Sequence, residues 1–371
     1  MKKRTTLPPS QKRVHRKLSF ATGYRELAIR TSAFSFRLRL RLAITTLILF
    51  GLAIAASTIA ISLGEFPMEL REVLAALVGI GKRLETIIVL EWRLPVAIAA
   101  VIFGALLGIG GAIFQSLTHN PLGSPDIIGF DAGSYTAVVV LILVIGSNQY
   151  WAIAAAAIIG GLVTAFIVYI LSWRRGIQGF RLIIVGIAIS AMLTSINSYL
   201  ITRAQVEQAV TVGFWAAGSI SRVSWHGLIP TLALGLVIVG CAAALSRSLH
   251  HLELGDDAAW TQGFSVGRAR LGLIVVGVAT TAVVTAAAGP ISFIALAAPQ
   301  IARRITQTPG VSLLSAAAMG SALLSGAHLL SLVIATFYYT IPVGLITVII
   351  GGMYMIWLLI RETRREYGAL R

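Results

Sequence analysis

The sequence predicts an all-α membrane protein of about ten transmembrane helices with both termini cytoplasmic. Three observations predict it. The 371 residues are 57% hydrophobic and only 12% charged, with mean hydropathy +0.87, whereas a soluble chain carries about 25% charged residues. The stretches 42–64, 94–125, 132–173, 182–202, 223–246, 271–302 and 305–360 contain no Asp, Glu, Lys or Arg. Lys and Arg are also sorted between the connections, as the positive-inside rule requires.

A spanning helix needs about 20 apolar residues, so the longer stretches hold more than one span. Gly146-Ser147-Asn148-Gln149 divides 132–173, Gly289-Pro290 divides 271–302, and Thr340-Ile341-Pro342 divides 305–360, because turn residues and proline end helices. The expected spans are 42–63, 94–115, 127–145, 151–172, 181–202, 228–247, 271–288, 291–303, 312–336 and 342–360, the eighth being short. With the N-terminus inside, only Arg71, Lys82, Arg83, Arg93, Arg203 and Arg222 of the 30 basic residues fall outside. Shifting the count by one span would scramble that bias.

Residues 1–41 form a basic tail with a single acid, expected to be disordered and to rest on anionic headgroups. Its Arg- and Ser-rich, acid-poor composition also fits a transit peptide, and a start codon assigned too far upstream is a further reading. Ala55-Ala56-Ser57 could suggest signal cleavage, but the long charge-free first span favours retention. The transmembrane domain is placed at 42–362, followed by a short cytoplasmic tail, 363–371. The net charge of +16 would suggest nucleic acid in a soluble protein; its distribution here points to membrane lipid and no nucleic acid. The lone Cys241 excludes an intramolecular disulfide or cysteine cluster and reads as a packing residue. No metal site is expected.

Gly104, Gly108 and Gly111 recur at helical spacing in the second span, where small residues let helix backbones approach. A pore role for them is the alternative. The fifth span carries Ser190, Thr194 and Asn197 on one face, which suits either a pathway-lining stripe or interhelical hydrogen bonds. No charged residue is expected deep in a span, Asp126 and Asp131 being placed near the cytoplasmic end of the third, and this weighs against an ion-coupled transporter. No GxxxxGK[ST] loop is present, so the chain is not its own ATPase. The inside loop 248–271 has Glu253, Asp256 and Asp257 before a short helical stretch, Ala258 to Gln262, ended by Gly263. His250 and His251 could suggest metal, but adjacent histidines diverge on a helix.

One segment is the most distinctive. A small-residue-rich helix from Arg93 runs through Gln115 into Asn120-Pro121-Leu122-Gly123-Ser124-Pro125-Asp126, and Gly129 and Gly133 open the next apolar run. This segment resembles the permease subunits of bacterial ABC importers for iron-siderophores, haem and vitamin B12. Leu254-Gly255 through Ala258 and Gly263 is similar to the family's LGxxxAxxLGV loop. Ala288-Gly289-Pro290 through Pro299 is similar to AGPIxFxxLxxPHxxR, Pro342-Val343-Gly344 to LPVGxxTxxxG, and Trp215 with Gly218-Ser219 to WxxGS. Within the family the chain most resembles the ferric-enterobactin type.

The resemblance implies a type II importer permease with no catalytic site and no bound cofactor, the ATP and Mg being used by two ATPase partners. It implies pairing with a sister permease, a heterodimer being favoured over a homodimer. It also implies a periplasmic or lipid-anchored siderophore-binding protein and location in the bacterial inner membrane. The expected cargo is a ferric siderophore, enterobactin-like, with haem or vitamin B12 as alternatives. The resemblance puts the ATPase contact on Leu254, Gly255, Asp256, Asp257, Ala258 and Gly263, and a gate on Gly179 and Phe180. It puts binding-protein docking on Arg93, for which anchoring of a helix end is the other reading. Departures from the family pattern are Val96, Gln300 and His328, the last expected to be a hydrogen-bonded packing residue.

Overall fold

A computed structural model describes residues 17–19, 25–30, 35–64, 66–173, 179–308 and 310–369. Each expected span is helical. Among the described residues, seven helices are long and apolar enough to cross a membrane: α1 (Leu40–Ser62), a rod comprising α3 (Arg83–Ile87), a π-helical turn and α4 (Leu94–Thr118), α6 (Tyr150–Ser172), α7 (Gly179–Thr202), α9 (Trp225–Glu253), α11 (Val266–Ala288) and α13 (Leu313–Ala335). Two shorter apolar segments match the third and tenth expected spans: α5 (Phe130–Val140) with its π-helical extension to Ile145, and the Val343–Leu358 part of α14 (Val343–Ala369).

The eighth expected span is α12 (Ile294–Thr306), only 13 residues. At 1.5 Å per residue it covers about 20 Å, short of a hydrocarbon core of about 30 Å. It can be short because the protein surrounds it: Ile294 to Gln300 are all buried. Helices α2 (Leu70–Leu77), α8 (Val206–Ala216) and α10 (Asp256–Thr261) lie in the connections.

Helix α4 is the centre, packing on α13, α11, α12 and α9. A Cβ on Gly104 would meet the Gly320 backbone, one on Gly108 the Ala316 backbone, and one on Gly111 the Ala295 backbone. Close packing is thus what these glycines do, since lipid supplies no hydrophobic drive between helices and van der Waals contact must. Phe103, Leu106 and Leu107 fill one half of the core with Val284 and Leu324. Ile113 and Phe114 fill the other with Phe130 and Leu273.

One expectation is corrected, and another falls largely outside the described residues. Within the basic tail, β1 (Lys17–Ser19), β2 (Arg25–Arg30) and β3 (Ser35–Arg39) pair as an antiparallel meander, and residues 1–16, 20–24 and 31–34 lie outside the described residues. In β3 apolar residues alternate with polar ones, the period-two pattern of a strand, and the register sets Leu27 opposite Leu38 and Ile29 opposite Phe36. The inside loop 248–271 is shorter than its lack of apolar runs suggests. Helix α9 extends to Glu253 and α11 starts at Val266, leaving α10 between them. Charged residues continue a helix past the apolar zone because helix hydrogen bonds do not depend on side-chain polarity.

Candidate translocation and coupling sites

The Asn120–Gly129 segment folds back into the helix bundle. His119, in a left-handed conformation, ends α4, and the Asn120 carboxamide accepts the Leu122 N–H at 2.8 Å, turning the chain at Pro121. The segment then locks onto α12. Gln115 Nε2 donates to the Leu296 carbonyl at 2.8 Å, and Gln300 Nε2 donates to the Pro121 carbonyl. Asp126 Oδ2 accepts the Phe293 N–H at 3.0 Å, so a carboxylate sits at the positive end of α12. Pro125, Gly129 and Pro299 are buried in this junction. Gln300, where the resemblance expects histidine, therefore ties a turn to a helix.

Three other motifs converge although they are far apart in sequence. Gly344 N–H donates to the Gly218 carbonyl at 3.0 Å, and Ser219 N–H to the Ala288 carbonyl at 2.7 Å. A Cβ on Gly289 would strike the Trp215 carbonyl, and one on Gly344 the Ala217 carbonyl. Gly289, Pro290, Pro342 and Gly344 thus form a backbone junction joining the end of α11 to the start of α14.

Asp131 corrects the expectation that no acid lies deep. Its neighbours Gly129 and Gly133 pack on Gly186 and Ser190 of α7 and on Gly160 and Thr164 of α6, near the middles of those helices. Asp131 is buried and accepts a hydrogen bond from Thr285 Oγ1 at 3.1 Å. Counting charge-free residues places an acid at a span's edge, whereas here α5 begins inside the bundle.

The polar face of α7 is divided. Ser190 is half-buried against Gly129 and Thr194 is exposed. Asn197 is buried, in the stretch of α7 whose Leu200 and Ile201 pack on the cluster that holds Val138 and Val139 of α5. Asn197 therefore leaves the pathway-lining set. Gly179 starts α7, and Phe180 beside it is 72% exposed.

Arg93 lies in the π-helical turn before α4. Its guanidinium donates to the Ile61 carbonyl at 2.7 Å and the Phe66 carbonyl at 2.8 Å, the geometry of a helix-end anchor. It borders a cavity of about 250 Å³ shared with Val96, Trp92, Ser221 and His328. Val96 and His328 are both buried. His328 Nδ1 makes no hydrogen bond, contrary to expectation.

In the coupling segment, Gly255 (φ +101°) and Gly263 (φ +82°) bracket α10 in conformations that suit glycine. Asp256 pairs with Arg270 of α11 at 2.5 Å, Ala259 is buried, and Leu254 is exposed. His251 stacks on Phe264 with ring centroids 3.9 Å apart, which accounts for it as packing. Cys241, expected to be packed, is exposed on α9.

Residues 42–361 match the model of the FecCD transport family. The chain belongs to this family. It is similar to the ferric enterobactin transport system permease protein FepG of Escherichia coli (strain K12), 45% identical over 326 residues, which are 88% of this chain and 98% of that one. It is also similar to the iron(3+)-hydroxamate import system permease protein FhuG of Bacillus subtilis (strain 168), 30% identical over 321 residues, 84% of this chain and 95% of that one. The fold matches a solved structure described as a metal-chelate type ABC transporter in an inward-facing conformation. The TM-score is 0.74 at 21% identity, covering 86% of this chain and 99% of that one.

A FecCD-family chain is a multi-pass membrane transport protein rather than a catalytic subunit. Motif reading omits Trp260. It is 75% exposed on α10, and an aromatic residue in a short polar helix is the signal that could have singled it out.

Proposed function

We propose that the chain is the permease subunit of an ABC importer carrying a ferric siderophore, catecholate in type, across the bacterial inner membrane into the cytoplasm. The observation that carries the reading is the 45% identity to FepG over 98% of that protein. Ten spans with both termini inside fit the sidedness of Lys and Arg, with α12 as a half-length eighth.

In this reading two ATPase subunits hydrolyse ATP and meet α10 through Leu254, Asp257 and Trp260. Helix α7 faces the pathway through Ser190 and Thr194, in partnership with a sister permease distinct from this chain. Phe180 closes the inner gate. The binding protein docks at the opposite end, where Arg93 fixes the connection after α1 that it would meet. ATP-driven closure of the ATPases moves α10 and opens one gate at a time. The walls offer hydroxyls rather than fixed charges, so a large anionic chelate meets weak contacts and is released.

Radio-iron uptake tests this in cells lacking the gene, offered catecholate, hydroxamate and haem chelates and, separately, labelled vitamin B12. Selective loss of catecholate uptake, restored by the gene and abolished by vanadate, is expected. Loss of haem or vitamin B12 uptake instead would reassign the cargo. Uptake that collapses only under an uncoupler would defeat the ATP-driven reading.

A further inference from the structure

Between α10 and the gate residues Gly179 and Phe180 stands one carboxylate. Glu253 is the last residue of α9, immediately before Leu254 and Gly255. Its Oε1 accepts two hydrogen bonds at once, from Ser116 Oγ at 3.1 Å and from the Val311 N–H at 3.1 Å. Its second oxygen lies over Gly310, where an added Cβ would come 2.9 Å from it. One side chain thus ties the end of α9 to the last turn of α4 and to the segment that leads into α13. Hydrogen bonds to an ionised acceptor are roughly twice as strong as neutral ones.

The last turn of α4 continues the connection. Two residues after Ser116, the buried Thr118 packs directly against Gly179. A Cβ on Gly179 would lie 2.5 Å from Thr118 Cα and 2.6 Å from its carbonyl oxygen. No side chain cushions that contact, so a shift of α4 at Thr118 bears on the first residue of α7, next to Phe180. On the other flank, the Asp256–Arg270 pair fastens α10 to α11. A load on α10 reaches α9 through the two residues between Glu253 and Asp256.

We infer that Glu253 is a positioning residue that passes movement of α10 to the gate through Ser116, Thr118 and Gly179. The inference rests on the reading of α10 as the ATPase contact. Close-packed contacts of this kind move together rather than deform, and the carboxylate is where the two moving parts are joined by hydrogen bonds rather than by chain.

The test uses the assembled importer with Cys241→Ser and a Phe180→Cys reporter, labelled by a water-soluble maleimide with and without ATP and vanadate. With Glu253 intact, nucleotide should change the labelling rate. Glu253→Ala should shrink that response by roughly fivefold, within the range found along coupled networks. Glu253→Gln, whose amide oxygen still accepts from Ser116 and Val311, should restore most of it.

Ser116→Ala removes a single donor and leaves α10 untouched, so it carries the test if Glu253→Ala fails to assemble; a weaker nucleotide response is again expected. An undiminished response in Glu253→Ala or Ser116→Ala overturns the inference, as does a Glu253→Gln as defective as the alanine. Labelling indifferent to nucleotide with Glu253 intact would overturn the functional reading itself, and that failure shows in the parent protein before any variant is made.

Discussion

Helices α4 and α9 are almost equally apolar and differ completely in burial. The best windows of the two rods have mean hydropathy 2.5 and 2.4, yet 78% of the first is buried and 22% of the second. In α4, glycines meet opposing backbones, and Gln115 and Ser116 reach across to α12 and α9. In α9, the uncovered large apolar residues are Ile229, Leu234, Leu236, Val237 and Val239. Hydropathy reports that a helix belongs in lipid. Small residues and cross-helix polar bonds decide whether protein or lipid covers it, because in lipid only close contact and hydrogen bonding hold helices together.

The sharpest way to break this comparison is Gly104→Leu. Its side chain has only the Gly320 backbone to enter, and overpacking costs about 1–3 kcal/mol, more where backbone must move. Loss of the monodisperse folded protein on gel filtration in detergent is expected. Next comes Gln115→Leu, which removes the bond to Leu296 without changing the apolar fill. A loss of about 1 kcal/mol is expected, seen as a lower thermal midpoint with the fold retained. The smallest effect is expected from Leu236→Ala on α9, within about 0.5 kcal/mol. Should Leu236→Ala prove as damaging as Gly104→Leu, the outer face of α9 is a protein interface and the contrast fails.

Legibility followed the same division. The long helices lie where charge-free stretches place them, to within a few residues, since excluding charge is what a spanning segment must do. The Asn120–Pro125 turn was equally readable from its prolines. Asp131 was not, because an acid is cheap at a surface and also tolerable inside once Thr285 donates to it, and sequence alone does not say which. Asn197 likewise looked like its stripe-mates Ser190 and Thr194 until packing on α5 took it inside. Arg93 carried two readings, and the carbonyls of Ile61 and Phe66 favour the anchor.

The class of the molecule, its apolar helices and the motifs of its family are legible along the chain, because each rests on local composition and on turn residues that act within a few positions. Which motifs meet is set by the packing of the helices. Ser219 bonds Ala288 and Gly344 bonds Gly218 through the backbone, Asp126 and Gln300 fasten a turn to α12, and Glu253 reaches Ser116 across 137 positions of chain. Such contacts depend on how helices are set side by side, and neighbours in space carry no mark of each other in the order of residues.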